Sequence, residues 1–122
     1  MKLFNLSIFT ILSFTSSTAY AQCFTTGVQG NPEFAYKNVQ LACARMGGWV
    51  GANKGKTTCL TVSPTLHYDF AAINERNAPN FMNIKDCTIY MPIQTWCPQG
   101  GSRDYYDTGF RYTADPNHGP CP

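Results

Sequence analysis

Residues 57–73 read TTCLTVSPTLHYDFAAI. Thr57 to Val62 is rich in β-branched residues, which favour a pleated, half-buried backbone. Ser63-Pro64-Thr65 interrupts the run. Leu66 to Ile73 then alternates, with Leu66, Tyr68 and Phe70 on one side and His67, Asp69 and Ala71 on the other. Because successive strand side chains point to opposite faces, this stretch predicts two strands with one apolar and one polar face.

Helical segments flank it. Upstream, Phe34 to Met46 places Val39, Ala42, Cys43 and Met46 at helical spacing, and Gly47-Gly48 ends the run. Asn31-Pro32-Glu33 supplies a cap residue, a first-turn proline and an acidic first turn. Between that helix and the strands, Trp49-Val50-Gly51 is strand-like, and residues 53–56 carry turn chemistry. Downstream, residues 74–80 form a polar, proline-containing loop. A second helix is expected from Ile84 to Trp96, capped by Asn83, with Asp86 resembling the far side of a capping box. Pro92 predicts a kink or an early end there, since it lacks a donor and clashes with the preceding turn. Strand pieces follow within residues 102–113, and residues 115–120 read as a terminal coil. Helix, strands, helix, strands is an α+β order with an antiparallel sheet.

The N-terminus predicts a compartment. Lys2, an apolar stretch from Leu3 to Phe14 and the small-x-small Ala19-Tyr20-Ala21 form a secretory signal, residues 1–21, cleaved before Gln22. The remaining residues 22–122 make one domain. They contain Cys23, Cys43, Cys59, Cys87, Cys97 and Cys121. An even cysteine count in a short secreted chain predicts a fully bridged framework, and no two cysteines are close enough for a CxxC metal knuckle. Cys97–Cys121 is one expected pair, pinning the terminal coil to the second helix. Once Lys2 is removed, eight Lys/Arg face seven Asp/Glu. The basic residues are scattered, which argues against a nucleic-acid partner. No apolar run after the signal is long enough to span a membrane.

The cysteine frame, in order, is Cys23-Phe24, Cys43 followed by Gly47-Gly48, Cys59, Asp86-Cys87, Cys97 with Gly100-Gly101-Ser102, and Ala114-Asp115-Pro116-Asn117-x-Gly119-x-Cys121. Together these resemble a widespread set of small fungal secreted proteins that includes a single-domain glycan-binding mushroom lectin. The resemblance covers nearly the whole mature chain and is most specific at its C-terminal end. It implies an αββαββ order, a fungal source, an extracellular location and a glycan ligand. Pro92 departs from the smooth second helix of that set. No sugar-contacting residue transfers by motif.

The residues nominate their own site. Gly100 to Asp107 reads GGSRDYYD. A pyranose presents a CH face that suits a flat aromatic ring, and its hydroxyls need carboxylate, amide or guanidinium partners. Arg103, Asp104, Tyr105, Tyr106 and Asp107 supply both. If the segment is a strand, its tyrosines point to opposite faces, so the alternative is one core tyrosine and one ordinary surface tyrosine. Trp49 and Trp96 read as core anchors.

Enzymatic chemistry has thin support. His67, Glu75, Arg76, Arg103 and His118 hold the ingredients of acid–base phosphodiester cleavage, but Glu75-Arg76 reads as an exposed loop pair. A non-catalytic protein is expected. Asp104, Asp107 and Asp115 lack the alternating spacing of a calcium loop, so neither metal nor cofactor is expected. Asp115-Pro116 reads as a turn initiator and His118 as a solvated loop histidine. The expected partner is a carbohydrate or cell-surface glycoconjugate, with avidity from a homodimer or clustered ligand. The competing class is a secreted effector, toxin or inhibitor of a host or competitor protein.

Overall fold

The computed structural model describes residues 22–122, so the expected signal and its cleavage site lie outside the described residues. In chain order the elements are β1 (Gln22–Cys23), α1 (Pro32–Lys37), α2 (Val39–Met46), β2 (Gly48–Val50) and β3 (Gly55–Ser63). They continue as β4 (Leu66–Asn74), β5 (Asn80–Met82), α3 (Ile84–Thr95), β6 (Gly101–Tyr105) and β7 (Phe110–His118). A five-stranded antiparallel sheet runs β1-β6-β7-β4-β3, and β2 pairs with β5 in a separate ribbon. The fold is α+β, with helices on one face of the sheet.

The alternation in residues 66–73 dictates that layering. Tyr68, Phe70 and Ala72 of β4 are buried with Phe110, Tyr112 and Ala114 of β7, under Ala35, Val39, Ala42, Met46 and Met91 of the helices. The opposite sheet face carries His67, Asp69, Arg111, Thr113, Asp115 and Asn117. A one-residue slip in register would exchange these two sets, which fixes the pairing strongly.

The first helix is two helices. Asn31 caps α1, its Oδ1 accepting from Phe34 N at 3.1 Å, with Pro32 at the first position. Asn38 then leaves helical geometry at φ −108°, and its Nδ2 donates back to the Phe34 carbonyl at 2.8 Å. The Asn38 N–H still reaches the same carbonyl at 3.2 Å, so side chain and backbone share it, a local bond of the kind that favours asparagine at helix ends. The α3 helix passes through Pro92 and ends at Thr95. The proline lies in the last turn, where only the half-exposed Thr88 carbonyl loses its helical donor.

Two further expectations are corrected. Within the loop predicted over residues 74–80, Asn80 opens β5, which pairs with β2 as Trp49↔Phe81. Buried Asn74 makes this possible: its Nδ2 donates to the carbonyls of Val50, Gly51 and Ala78 at 3.2, 3.1 and 2.9 Å. Nor is Asp115–His118 a turn or coil. It extends β7 against β4, with Asp69↔Asp115 and Leu66↔His118. A proline fits because β6 ends opposite Ala114, leaving Pro116 a neighbour on one side only. Gly100, at φ +84°, keeps that corner open, since a Cβ there would lie 2.5 Å from the Ala114 carbonyl and 2.7 Å from Pro116 Cδ.

Three bridges close the framework: Cys23–Cys97, Cys43–Cys87 and Cys59–Cys121. The expected Cys97–Cys121 pair does not form, because the two cysteines sit at opposite edges of the sheet. Cys97 lies against Gly101 of β6, next to β1, while Cys121 N donates to Thr61 Oγ1 of β3 at 3.0 Å. Each edge strand is therefore stapled once, and the third bridge joins α2 to α3. Among the described residues no helix is long and apolar enough to cross a membrane.

Candidate ligand-binding site

The nominated residues lie at one end of the sheet, where β6 turns into β7. Tyr105 O accepts from Thr108 N at 3.1 Å and from Gly109 N at 2.9 Å, closing the turn. Asp107 and Tyr106 stand at its tip, and Tyr106 is 86% exposed. Tyr105 points the other way. Its ring stacks on Tyr90 at 4.2 Å and lies 5.8 Å from Tyr112, and its hydroxyl accepts from Gln94 Nε2 at 2.8 Å. Burial raises the Tyr105 phenol above its ordinary range and pushes Tyr112 up to about 12, against the pull of the Thr108 hydroxyl on Tyr112. Arg103 lies over the Tyr105 ring, 5.8 Å from its centroid.

The carboxylates are held in place. Tyr90 donates its hydroxyl to Asp107 Oδ2 at 2.7 Å, and this bond raises the Tyr90 pKa. On the polar sheet face Arg111 Nε lies 2.9 Å from Asp104 Oδ1 and 3.5 Å from Glu75 Oε2. The Nε–Oδ1 contact is an ion pair without an aligned hydrogen bond, and Arg111 Nη2 donates to Asp104 Oδ2 at 3.4 Å. Loss of solvent raises the Glu75 pKa first, neighbouring Asp104 raises it further, and Arg111 opposes both. Arg111 Nη1 also donates to Ser102 Oγ at 2.9 Å. Arg76 extends the cluster, packing on Gly109 and donating from Nη2 to the Asp107 carbonyl at 3.4 Å.

All five nominated residues thus share one end of the molecule but not one face. Asp104 lies with Arg111 and Glu75 on the polar face, Arg103 and Tyr105 lie on the helix side with Tyr90, and Tyr106 and Asp107 stand at the tip beside Arg76. The histidines do not join them. His67 and His118 lie at the far end of β4 and β7, roughly 25 Å along the strand from Glu75. There His67 Nδ1 lies 2.8 Å from the Gly119 carbonyl and Nε2 lies 3.1 Å from Asp69 Oδ2. Asn117 Nδ2 donates to the same Asp69 oxygen at 2.8 Å. The Gly119 carbonyl is the main reason the His67 pKa is raised. Burial opposes it, and Asp69 and Asp115 reinforce it. Cys59, His67 and Asp69 approach metal-ligand spacing, but the Cys59 sulfur is committed to Cys121. Asp115 lies in this group and away from Asp104 and Asp107.

Neither tryptophan is a core anchor. Trp49 is 68% exposed and Trp96 is 58% exposed. Trp49 sits on the outward side of a three-residue strand, against the edge of Phe81 at 5.4 Å. Trp96 stacks on Tyr36 at 4.9 Å, outside the helix layer, while its neighbour Cys97 takes the inward position. Beside it Tyr36, Lys37, Val39, Gln40, Thr88 and Pro92 line a groove of about 270 Å³. A tryptophan next to a cysteine reads as core in sequence, and only the strand parity of residues 49–51 hinted otherwise. The chain matches no protein-family model and no curated protein.

Proposed function

We propose that the protein is a secreted, non-catalytic glycan-binding module whose ligand sits at the β6–β7 turn. The observation that carries the reading is Tyr106, fully presented at the tip of a braced turn with Asp107 beside it. The Glu75–Arg111–Asp104 cluster and Arg103 stand at the same end. An exposed ring takes the apolar face of a sugar. Carboxylates fixed by Tyr90 and Arg111 keep lone pairs for sugar hydroxyls without paying again for side-chain ordering. The resemblance of the cysteine frame to the fungal lectin set supports the same ligand class and an extracellular location, as do the bridged cysteines. Separation of both histidines from Glu75 and Arg111 favours binding over acid–base turnover.

The test is a glycan array probed with oxidised protein beginning at Gln22, followed by Tyr106→Ala on the best ligand. Binding that disappears in the variant supports the site. An array without any bound glycan overturns the reading. A second reading, capture of a host or competitor protein, is favoured by the exposed Tyr36–Trp96 stack and Ile89 on the helix layer. It predicts loss of partner binding on Trp96→Ala.

A further inference from the structure

The β2–β5 ribbon presents an outward stripe that the glycan reading does not use. Residues 47, 49 and 51 share one side of the chain, and two of the three are glycines. Ile84 folds over Gly47, its Cγ1 2.7 Å from where a Cβ would stand, and the Lys54 stem lies over Gly51 at 3.3 Å by the same measure. Trp49 and its cross-strand partner Phe81 fill the middle. The stripe therefore runs Ile84, Trp49 with Phe81, then Lys54, over about 13 Å at strand spacing. Phe81 is 51% exposed and Ile84 is 45% exposed. With Trp49 they leave on the order of 300 Å² of apolar surface to solvent.

Cations frame this patch. Lys54 covers the far end and Lys85 follows Ile84, while Lys56 lies on the inner side of the ribbon, its Nζ donating to the Gly47 carbonyl at 2.9 Å. Neither Lys54 nor Lys85 has a carboxylate within ion-pair distance among the described residues. The nearest acid in sequence, Asp86, acts electrostatically on Tyr90 and Tyr112, on the inner side of α3.

We propose that this stripe is a docking surface for an anionic lipid bilayer. Trp49, Phe81 and Ile84 enter the interfacial layer, and Lys54 and Lys85 meet the headgroup charge. Area and charge select this occupant. A stable protein partner needs roughly 800 Å² per side, well beyond the patch. Rings of this kind settle at the membrane interface, and each lysine near an anionic surface adds about fivefold in affinity. The ribbon is joined to the body through Asn74 and carries no core residue at Trp49 or Phe81, so its outward side can enter lipid without unfolding.

The test is co-sedimentation of the oxidised protein with vesicles of phosphatidylcholine containing about one third phosphatidylserine, beside pure phosphatidylcholine. Neither vesicle carries a glycan, so the outcome is independent of the sugar reading. The expected result is binding to the anionic vesicles alone, weakened by high salt. Trp49→Ala and the pair Lys54→Glu, Lys85→Glu should each weaken it at least tenfold. In a Trp96→Phe background, Trp49 emission should shift to the blue and be quenched by brominated lipid. Tyr106→Ala should bind vesicles like the parent. Absence of vesicle binding, equal binding to neutral vesicles, or binding that survives Trp49→Ala overturns the proposal. Sedimentation that needs Trp49 but not vesicles also overturns it, assigning the stripe to a second copy of the chain.

Discussion

Tyr105 and Tyr106 are adjacent in sequence and opposite in physical role, so removing each should give different losses. A fully buried aromatic replaced by alanine costs about 3–5 kcal/mol. Tyr105 is half-covered, so its share of that cost is roughly 2 kcal/mol. Its loss also takes one of the two acceptors of Gln94 Nε2, which keeps the Tyr90 carbonyl; this side chain is fully buried and its Oε1 has no hydrogen-bond partner among the described residues. Leaving a buried donor short of its partner adds about 1 kcal/mol, so Tyr105→Ala should destabilise by roughly 3 kcal/mol. Tyr105→Phe keeps the stack on Tyr90 and should lose only about 1 kcal/mol. Tyr106→Ala touches nothing buried and should stay within about 0.5 kcal/mol of the parent. Urea unfolding of oxidised protein, followed by circular dichroism with the slope checked for constancy, measures all three. On the ligand side the order reverses: Tyr106→Ala should abolish glycan binding while Tyr105→Phe retains it. The reasoning fails if Tyr105→Ala costs less than Tyr105→Phe is expected to cost, or if Tyr106→Ala unfolds the protein. It fails equally if Tyr106→Ala leaves glycan affinity intact.

Stability should rise as pH falls from 8 towards 5.5. His67 has a raised folded pKa, so its contribution is complete below its unfolded value of 6.5 and is lost as pH climbs through the folded value. Asp115 and Glu75, also raised, act in the same direction at lower pH; melting temperature across the range checks this, and His67→Gln should flatten the upper part. Replacing Cys43 and Cys87 together by serine opens a loop of 44 residues and should cost about 4 kcal/mol, read by urea midpoint. Before reduction, alkylation should label no cysteine. Secreted protein should begin at Gln22, possessing no N-glycan mass because residues 22–122 contain no Asn-x-Ser/Thr sequon; intact mass measures both.

Much of the fold was legible wherever one residue type decides the local geometry. Alternation in residues 66–73 fixed the buried face of β4, and Asn31 and Asn83 cap helices as their side chains suggest, Asn83 Oδ1 accepting from Lys85 N at 2.8 Å. What escaped depends on neighbours distant in sequence. Asn38 ends α1 by an interaction no period reveals. Asp115–His118 becomes strand only because β4 is long enough to pair with it, and β5 exists because buried Asn74 ties residues 50, 51 and 78 together. Pairing of the cysteines followed sheet order, which spacing does not encode. At the site, Arg103 to Asp107 could be nominated from side-chain chemistry. Their bracing partners Glu75, Tyr90 and Arg111 could not, because each comes from another element.

The two proposed surfaces are neighbours. Asn80, one residue before Phe81 in β5, donates from Nδ2 to the Thr108 carbonyl at 2.8 Å, inside the turn that carries Tyr106. Glu75 N donates to the Gly109 carbonyl at 2.9 Å, tying the same turn to the loop leaving β4. Ribbon and turn therefore form one braced end of the molecule, with the disulfides anchoring the sheet edges and helix layer elsewhere. This arrangement has a consequence for affinity. A sugar close to a charged bilayer would meet the turn while the ribbon meets the lipid, and the second contact would form at the high effective concentration set by the first. Asn80→Ala removes the tie without removing any group that touches sugar or lipid. Binding to isolated glycan and to bare anionic vesicles should then change little. Affinity for vesicles that display the glycan should fall towards that of the stronger single contact. If Asn80→Ala leaves that combined affinity at its full value, the turn and ribbon act independently.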